Sequence, residues 1–298
     1  MTIDKPSPFL KWAGGKGRLL PVLKENFPVE LGKEINKYVE PFVGGGAVLF
    51  DILSTYNLKK IYINDVNDEL INTYNVIKND VEALIEILNQ IQNEYLILDK
   101  DKRKEFYYSK RELFNKYKTE NILDTETAAL FIFLNKTCFN GLYRVNSNGL
   151  FNVPAGDYKN PLICNSDNLR GVSKKLTKVS ILCGSYEKLQ KIIDNKTFVY
   201  FDPPYRPLNK TSSFNTYTKS AFNDESQIEL AKFIKKLSKK GAYVLASNSD
   251  PKNTNPEDSF FDDLFYDMEI KRVSVKRLIN RKAELRNNKI TELIIKNY

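Results

Sequence analysis

Apolar positions recur along this chain with two different periods. Runs at 35–42, 60–65, 179–183, 198–202, 242–247, 268–275 and 290–296 are short and rich in Val, Ile, Phe and Tyr. Several are apolar at every position, as strands buried on both faces are. Between them Leu19, Leu20, Leu23 and Phe27 follow a helical spacing. So do Ile228, Leu230, Ala231, Ile234 and Leu237, where Asn223 or Asp224 can cap the start. Strands alternating with helices predict an α/β fold with a mainly parallel sheet.

The middle of the chain breaks this alternation. Val81, Leu84, Ile85, Leu88 and Ile91 share one face of a helix that Asp80 can cap, and residues 128–134 form a further helical run. Residues 142–146 and 150–153 flank the turn Ser147-Asn148-Gly149 and predict a β-hairpin. The expected organisation is a sheet domain made of 1–69 and 164–298, interrupted by a mostly helical insertion, 70–163, that carries the hairpin.

Composition narrows the chemistry. The 298 residues include no His, which removes every His-based nucleophilic triad and every His-containing zinc site. Cys138, Cys164 and Cys183 are odd in number and widely spaced, so neither a disulfide framework nor a cysteine metal site is expected. Without an apolar leader or a run of about 18 apolar residues, the reading is a cytoplasmic protein with no membrane segment. The net charge of +9 suits a polyanionic partner.

Three motifs carry candidate chemistry. Gly44, Gly45 and Gly46 follow a strand directly and precede a helical run, so backbone without Cβ atoms can approach a ligand there. Leu49 stands where a dinucleotide fingerprint needs its third glycine, which disfavours a bound diphosphate. Asp65 ends the next strand about 20 residues on, a place from which a carboxylate accepts ribose hydroxyls. Lys11 to Gly17 imitates a phosphate loop but has Leu10 and Gly17 where Gly and Ser or Thr are required. Asp202-Pro203-Pro204-Tyr205 follows a wholly apolar strand, and its two prolines forbid helix. The Asp202 carboxylate and the Pro203 carbonyl can then face one amino group while the Tyr205 ring stacks on a planar heterocycle. An exocyclic amine on a purine is a poor nucleophile because its lone pair is delocalised; two acceptors on its hydrogens favour the pyramidal form that frees it.

FLKWAGGK at 9–16, EPFVGGGAVLF at 40–50, IND at 63–65 and DPPYRPLNKTSSFNTYTKSAF at 202–222 together resemble the Dam-type (D12 class) DNA adenine-N6 methyltransferases, in that family's order. The resemblance implies a doubly wound S-adenosylmethionine-binding domain interrupted by a target-recognition domain, with no metal. It matches Trp12, Lys16, Asp65 and Asp202 to cofactor-binding positions, Gly44 to Gly46 to the methionine end, and Asp202 to Tyr205 to the catalytic tetrapeptide. Trp12 or Phe42 would offer the sulfonium a ring face, worth on the order of 1 kcal/mol. Ser185, with Glu187 close behind it, stands at the place of the contact to the cofactor's adenine.

An adenine in a duplex must be flipped out to reach such a slot. Residues 135–161 resemble the recognition hairpin of relatives that read GATC. The match implies Phe139 as a wedge beside the flipped base, Asn140 on backbone or base, and Arg144 on a guanine, whose O6 and N7 suit a guanidinium. It also places Lys11, Pro154 and Tyr158 against the DNA. Eight basic residues between Lys271 and Lys289, among them Lys276, Arg277 and Arg281, face one acidic residue, Glu284, and suit phosphates. The expected partner is double-stranded DNA, with the enzyme working either beside a restriction endonuclease or alone. An RNA or protein amide methyltransferase usually has Asn in place of Asp202. A silent DNA-binding protein would not need the intact Asp202, Tyr205 and glycine turn.

Overall fold

The computed structural model describes residues 5–12, 14–206, 222–276 and 289–298. Seven strands form one sheet: β1 (Lys37–Glu40), β2 (Lys60–Asp65), β3 (Val179–Cys183), β4 (Thr197–Phe201), β5 (Tyr243–Ser249), β6 (Glu269–Lys276) and β7 (Lys289–Lys296). Their order is β3-β2-β1-β4-β5-β7-β6. The first five are parallel, and β7 pairs antiparallel with both β5 and β6. This is the expected doubly wound sheet. The strand order reverses between β1 and β4, so the loops leaving those two strands border the crevice where such sheets bind ligands.

Period-2 alternation divides the buried strand residues between two faces. Tyr38, Phe198, Tyr200, Leu245 and Ile294 pack on one side with Leu23, Leu49 and Leu70. Val39, Val199, Phe201, Val244, Ala246, Leu293 and Ile295 pack on the other with Leu230, Ile234, Leu237 and Phe261. The helices on the first side include α1 (Leu20–Glu25), α2 (Ala47–Thr55), α3 (Asp68–Asn79) and α7 (Ser166–Leu176); α8 (Asp224–Lys239) and α9 (Phe260–Leu264) lie on the second. Side chains cap three of these helices: Asn67 for α3, Asn165 for α7 and Asn223 for α8.

Between α3 and α7 come α4 (Val81–Leu96), α5 (Lys100–Glu120) and α6 (Thr125–Thr137). Their buried residues Leu84, Leu88, Tyr107, Phe114 and Phe133 are continuous with the core on the first face of the sheet. Asp80 precedes α4 as expected, but its carboxylate does not cap it. Asp80 also ends α3, its N–H bonding to Val76, and its Oδ2 accepts from Thr125 Oγ1 at 3.5 Å.

The expected hairpin closes as a turn without becoming a strand pair. Asn146 N–H donates to the Leu150 carbonyl and Asn152 N–H to that of Arg144, with a single bridge between Val145 and Phe151. The second arm is held instead by side chains of α5. Asn115 donates to the Phe151 carbonyl and accepts from the Phe151 N–H, and Tyr107 Oη donates to the Val153 carbonyl at 2.8 Å. Backbone groups satisfied in that way are not available for a ladder. Among the described residues no helix is long and apolar enough to cross a membrane.

Candidate active site

The loop leaving β1 turns sharply on Gly44 (φ 47°) and Gly46 (φ 74°), left-handed conformations that glycine adopts without strain. Close packing excludes side chains here as well. A Cβ on Gly44 would lie 2.7 Å from Trp12 Nε1, one on Gly45 3.0 Å from Trp12 Cβ, and one on Gly46 2.5 Å from Tyr74 Oη. Tyr74 Oη itself donates to the Gly44 carbonyl at 3.0 Å. Asp65 braces the turn from the end of β2: its Oδ2 accepts from Gly44 N–H and its Oδ1 from Asn67 N–H, both at 3.1 Å. Burial raises the Asp65 carboxyl above its usual range, and those two N–H groups pull it back. Asp65 therefore joins the glycine turn to the start of α3, a task its position in sequence did not reveal.

Asp202 begins the loop leaving β4, and its side chain is 21% exposed. Its Oδ1 accepts from Lys16 Nζ at 2.7 Å and from Ser247 Oγ at 3.0 Å, and Ser247 Oγ also meets Tyr200 Oη at 3.0 Å. Lys16 Nζ donates to the Gly14 carbonyl at 2.6 Å and lies 4.5 Å from the centre of the Tyr205 ring. Burial raises the Asp202 carboxyl, while Lys16 and Ser247 act in the opposite direction and Glu292 adds to the rise. A cationic nitrogen thus rests on the Asp202 acceptor and over the Tyr205 ring, the two contacts expected of a heterocyclic amine.

Polar side chains beyond the tetrapeptide hold it. Gln227 donates to the Pro204 carbonyl at 2.9 Å and accepts from Asn248 Nδ2 at 3.0 Å, and Asn248 Oδ1 accepts from Arg206 N–H. The Arg206 guanidinium forks onto Asp224, reaches Asp258 at 2.8 Å and stacks on Phe260. Ser247, Asn248 and Ser249 were not singled out from the sequence, although three polar residues ending an apolar strand are a readable signal.

The remaining cofactor candidates lie around the same crevice. Phe42 packs among Tyr186, Phe201 and Phe222. Ser185 bonds to Glu187 through both the backbone N–H and the carboxylate of that residue, at the mouth of β3. Two carboxylates, a Cβ-free turn and the half-buried rings of Trp12 and Phe42 form a set that suits a ribose, an ammonium group and a sulfonium. Among the described residues no cluster of three His, Cys, Asp or Glu could hold a metal.

The DNA-reading candidates gather beside this crevice. Phe139, 52% exposed, donates its N–H to the Pro154 carbonyl, and Asn140 is exposed with φ 56°. Lys11 Nζ lies 4.0 Å from the centre of the Tyr158 ring. Buried Asn135 ties the two segments together, accepting from Lys11 N–H and donating to the carbonyls of Lys11 and Gly141. Arg144 is held across the turn by Asn152, Nε to Oδ1 at 2.8 Å. Tyr143, which sequence reasoning missed, stacks on Trp12 with rings 6.0 Å apart and 18° from parallel, and donates to buried Glu69. Trp12 therefore touches the glycine turn on one side and Tyr143, among the DNA-reading candidates, on the other. Lys276 ends β6, where its backbone pairs with Lys289; Arg277 and Arg281 lie outside the described residues.

Residues 12–279 match the family described as D12 class N6 adenine-specific DNA methyltransferase. The Type II methyltransferase M.MjaIII of Methanocaldococcus jannaschii is 54% identical over 292 residues, covering 98% of this chain and 99% of the relative. The Type II methyltransferase M1.LlaDCHI of Lactococcus lactis subsp. cremoris is 38% identical, covering 98% and 95%. The DNA adenine methylase of Haemophilus influenzae is 36% identical, covering 97% and 93%. With the tetrapeptide, the glycine turn and the sheet order in agreement, the chain belongs to the D12 class of N6 adenine-specific DNA methyltransferases and is an enzyme that methylates adenine in DNA.

Proposed function

We propose that the methyl donor is S-adenosylmethionine and that the target is the adenine of GATC in duplex DNA, flipped out to reach the crevice between β1 and β4. The observation that carries this reading is the Lys16 ammonium on Asp202 and over Tyr205, a cation placed where the substrate's amine would bind. When bound, S-adenosylmethionine supplies an electrophilic methyl group on a sulfonium. The chain's own residues do the rest. Asp65 offers the carboxylate lone pairs left by Gly44 and Asn67 to a ribose, and a ring face of Trp12 or Phe42 suits a sulfonium. As the adenine enters, Lys16 gives up Asp202 Oδ1 and keeps the Gly14 carbonyl. Asp202 and the Pro203 carbonyl accept the two hydrogens of the amine, and the Tyr205 ring holds the base in plane. When the C–N bond has formed, the Asp202 carboxylate, raised by burial, takes the surplus proton and passes it to water.

The segment 70–163, with Lys11 from the N-terminal side, would read the target. Phe139 enters beside the flipped base, Asn140, Pro154 and Tyr158 line the duplex, and Arg144 leaves Asn152 for a guanine. The basic residues Lys276, Arg277 and Arg281 would add phosphate contacts. Two relatives named as Type II methyltransferases favour work beside a restriction endonuclease over a solitary role. Asp202→Ala tests the slot: labelled-methyl transfer should vanish while duplex binding stays within about three-fold of wild type. Retained transfer would overturn the role given to Asp202.

A further inference from the structure

The Tyr205 hydroxyl donates to Glu292 Oε2 at 2.8 Å. Glu292 lies on β7 directly opposite Ser249 of β5, a carboxylate within the otherwise apolar run Ile290 to Ile295, broken only there and at Thr291. The opposite demand falls on the ring face, which already receives the Lys16 ammonium. A phenol bonded to a carboxylate is held in one rotation, and the charge-assisted bond places more electron density on the ring. Electron-rich aromatic faces attract cations more strongly.

We propose that Glu292 is a positioning residue for methyl transfer, acting through Tyr205. It fixes the ring in the plane of the flipped adenine and enriches the face on which positive charge develops as the amine gains its methyl group. This rests on the proposed stacking of adenine on Tyr205. The phenol remains a donor throughout, since burial and the carboxylates of Asp202 and Glu292 hold it well above its ordinary range. Tyr205 therefore contributes its ring and this bond, and takes no part as an acid or base.

The test is a double-mutant cycle of wild type, Tyr205→Phe, Glu292→Gln and the double variant, measured by steady-state methyl transfer on a duplex that the wild type modifies. Each single change should lower kcat about ten-fold, with KM for DNA within about two-fold, because ground-state stacking is kept and transition-state stabilisation is lost. The double variant should be no slower than the slower single variant. Additive losses, or a Glu292→Gln enzyme at the wild-type rate, would overturn the inference. Glu292→Gln keeps an acceptor and loses only its charge, whereas Tyr205→Phe removes the bond itself, so an unstable Glu292→Gln protein leaves the test intact: Tyr205→Phe at the wild-type rate refutes it as well. Tyr205→Ala separates the two claims. If it keeps full activity, the stacking itself is wrong; if it is inactive while Tyr205→Phe and Glu292→Gln are at the wild-type rate, only the role of Glu292 fails.

Discussion

Ser247→Ala probes how the acceptor at Asp202 is made. Ser247 is 1% exposed and stands between two groups, giving its hydrogen to Asp202 Oδ1 and meeting the Tyr200 hydroxyl, which is completely buried. Removing the hydroxyl strands Tyr200 Oη and takes one donor from a carboxylate, and each loss is worth about 1–3 kcal/mol. Together about 2–6 kcal/mol, at about 2–4 °C per kcal/mol for a large domain, these should lower the melting temperature by about 4–24 °C at pH 8. Burial already raises Asp202, and the donors Lys16 and Ser247 counter it, so the variant's carboxyl is raised further. Methyl transfer uses the ionised form, so the acid limb of the pH–rate profile should move to higher pH. Stability has a matching sign. A carboxyl raised in the folded state contributes fully at pH below its unfolded value and loses that contribution as pH climbs through the raised one. The stability deficit of the variant should therefore be larger at pH 8 than at pH 5. Single-turnover methyl transfer between pH 5 and 9, with melting curves at both ends, measures all of this. An acid limb identical to wild type would refute the assigned hydrogen bond to Asp202.

Gly46→Ala forces a left-handed φ of 74° on alanine and sets a Cβ 2.5 Å from Tyr74 Oη and 3.1 Å from Phe50. The backbone term alone costs about 1–2 kcal/mol, so melting should fall by several degrees, and unchanged melting would contradict the packing described. Arg144→Ala should relax discrimination at one guanine by about 1–3 kcal/mol, read as competition between duplexes differing at that base pair. Equal weakening on every duplex would make Arg144 a phosphate contact.

The sheet was legible because short β-rich runs mark it: each of the seven expected runs holds a strand, although the outer β3 is largely exposed. The ends were less so. Residues 35–42 yield only Lys37–Glu40, since the chain must turn at Pro41 to reach the glycines, whereas β5 continues to Ser249 through residues whose polarity argued for a stop. Helix α5 left no apolar stripe to find, as its 21 residues bury only Tyr107 and Phe114. The reading segment looked like a hairpin because local turn chemistry was right, but Asn115 and Tyr107, far away in sequence, take the backbone groups that a second strand would need. At the active site the tetrapeptide, the glycine turn and Lys16 carry strong local signals. Ser247, Glu292 and Tyr143 do not, since their importance comes from what β5, β7 and Trp12 bring within reach. That Lys16 reaches both Asp202 and the face of the Tyr205 ring is a fact of three dimensions that no spacing encodes.

The most direct measurement is transfer of labelled methyl from S-adenosylmethionine to two duplexes that differ only at one central site, GATC or GTTC, followed by nucleoside analysis. The account predicts label as N6-methyladenine in the GATC duplex alone. Equal label in both would reject the assigned target, and label in neither would contradict the proposed donor and slot together.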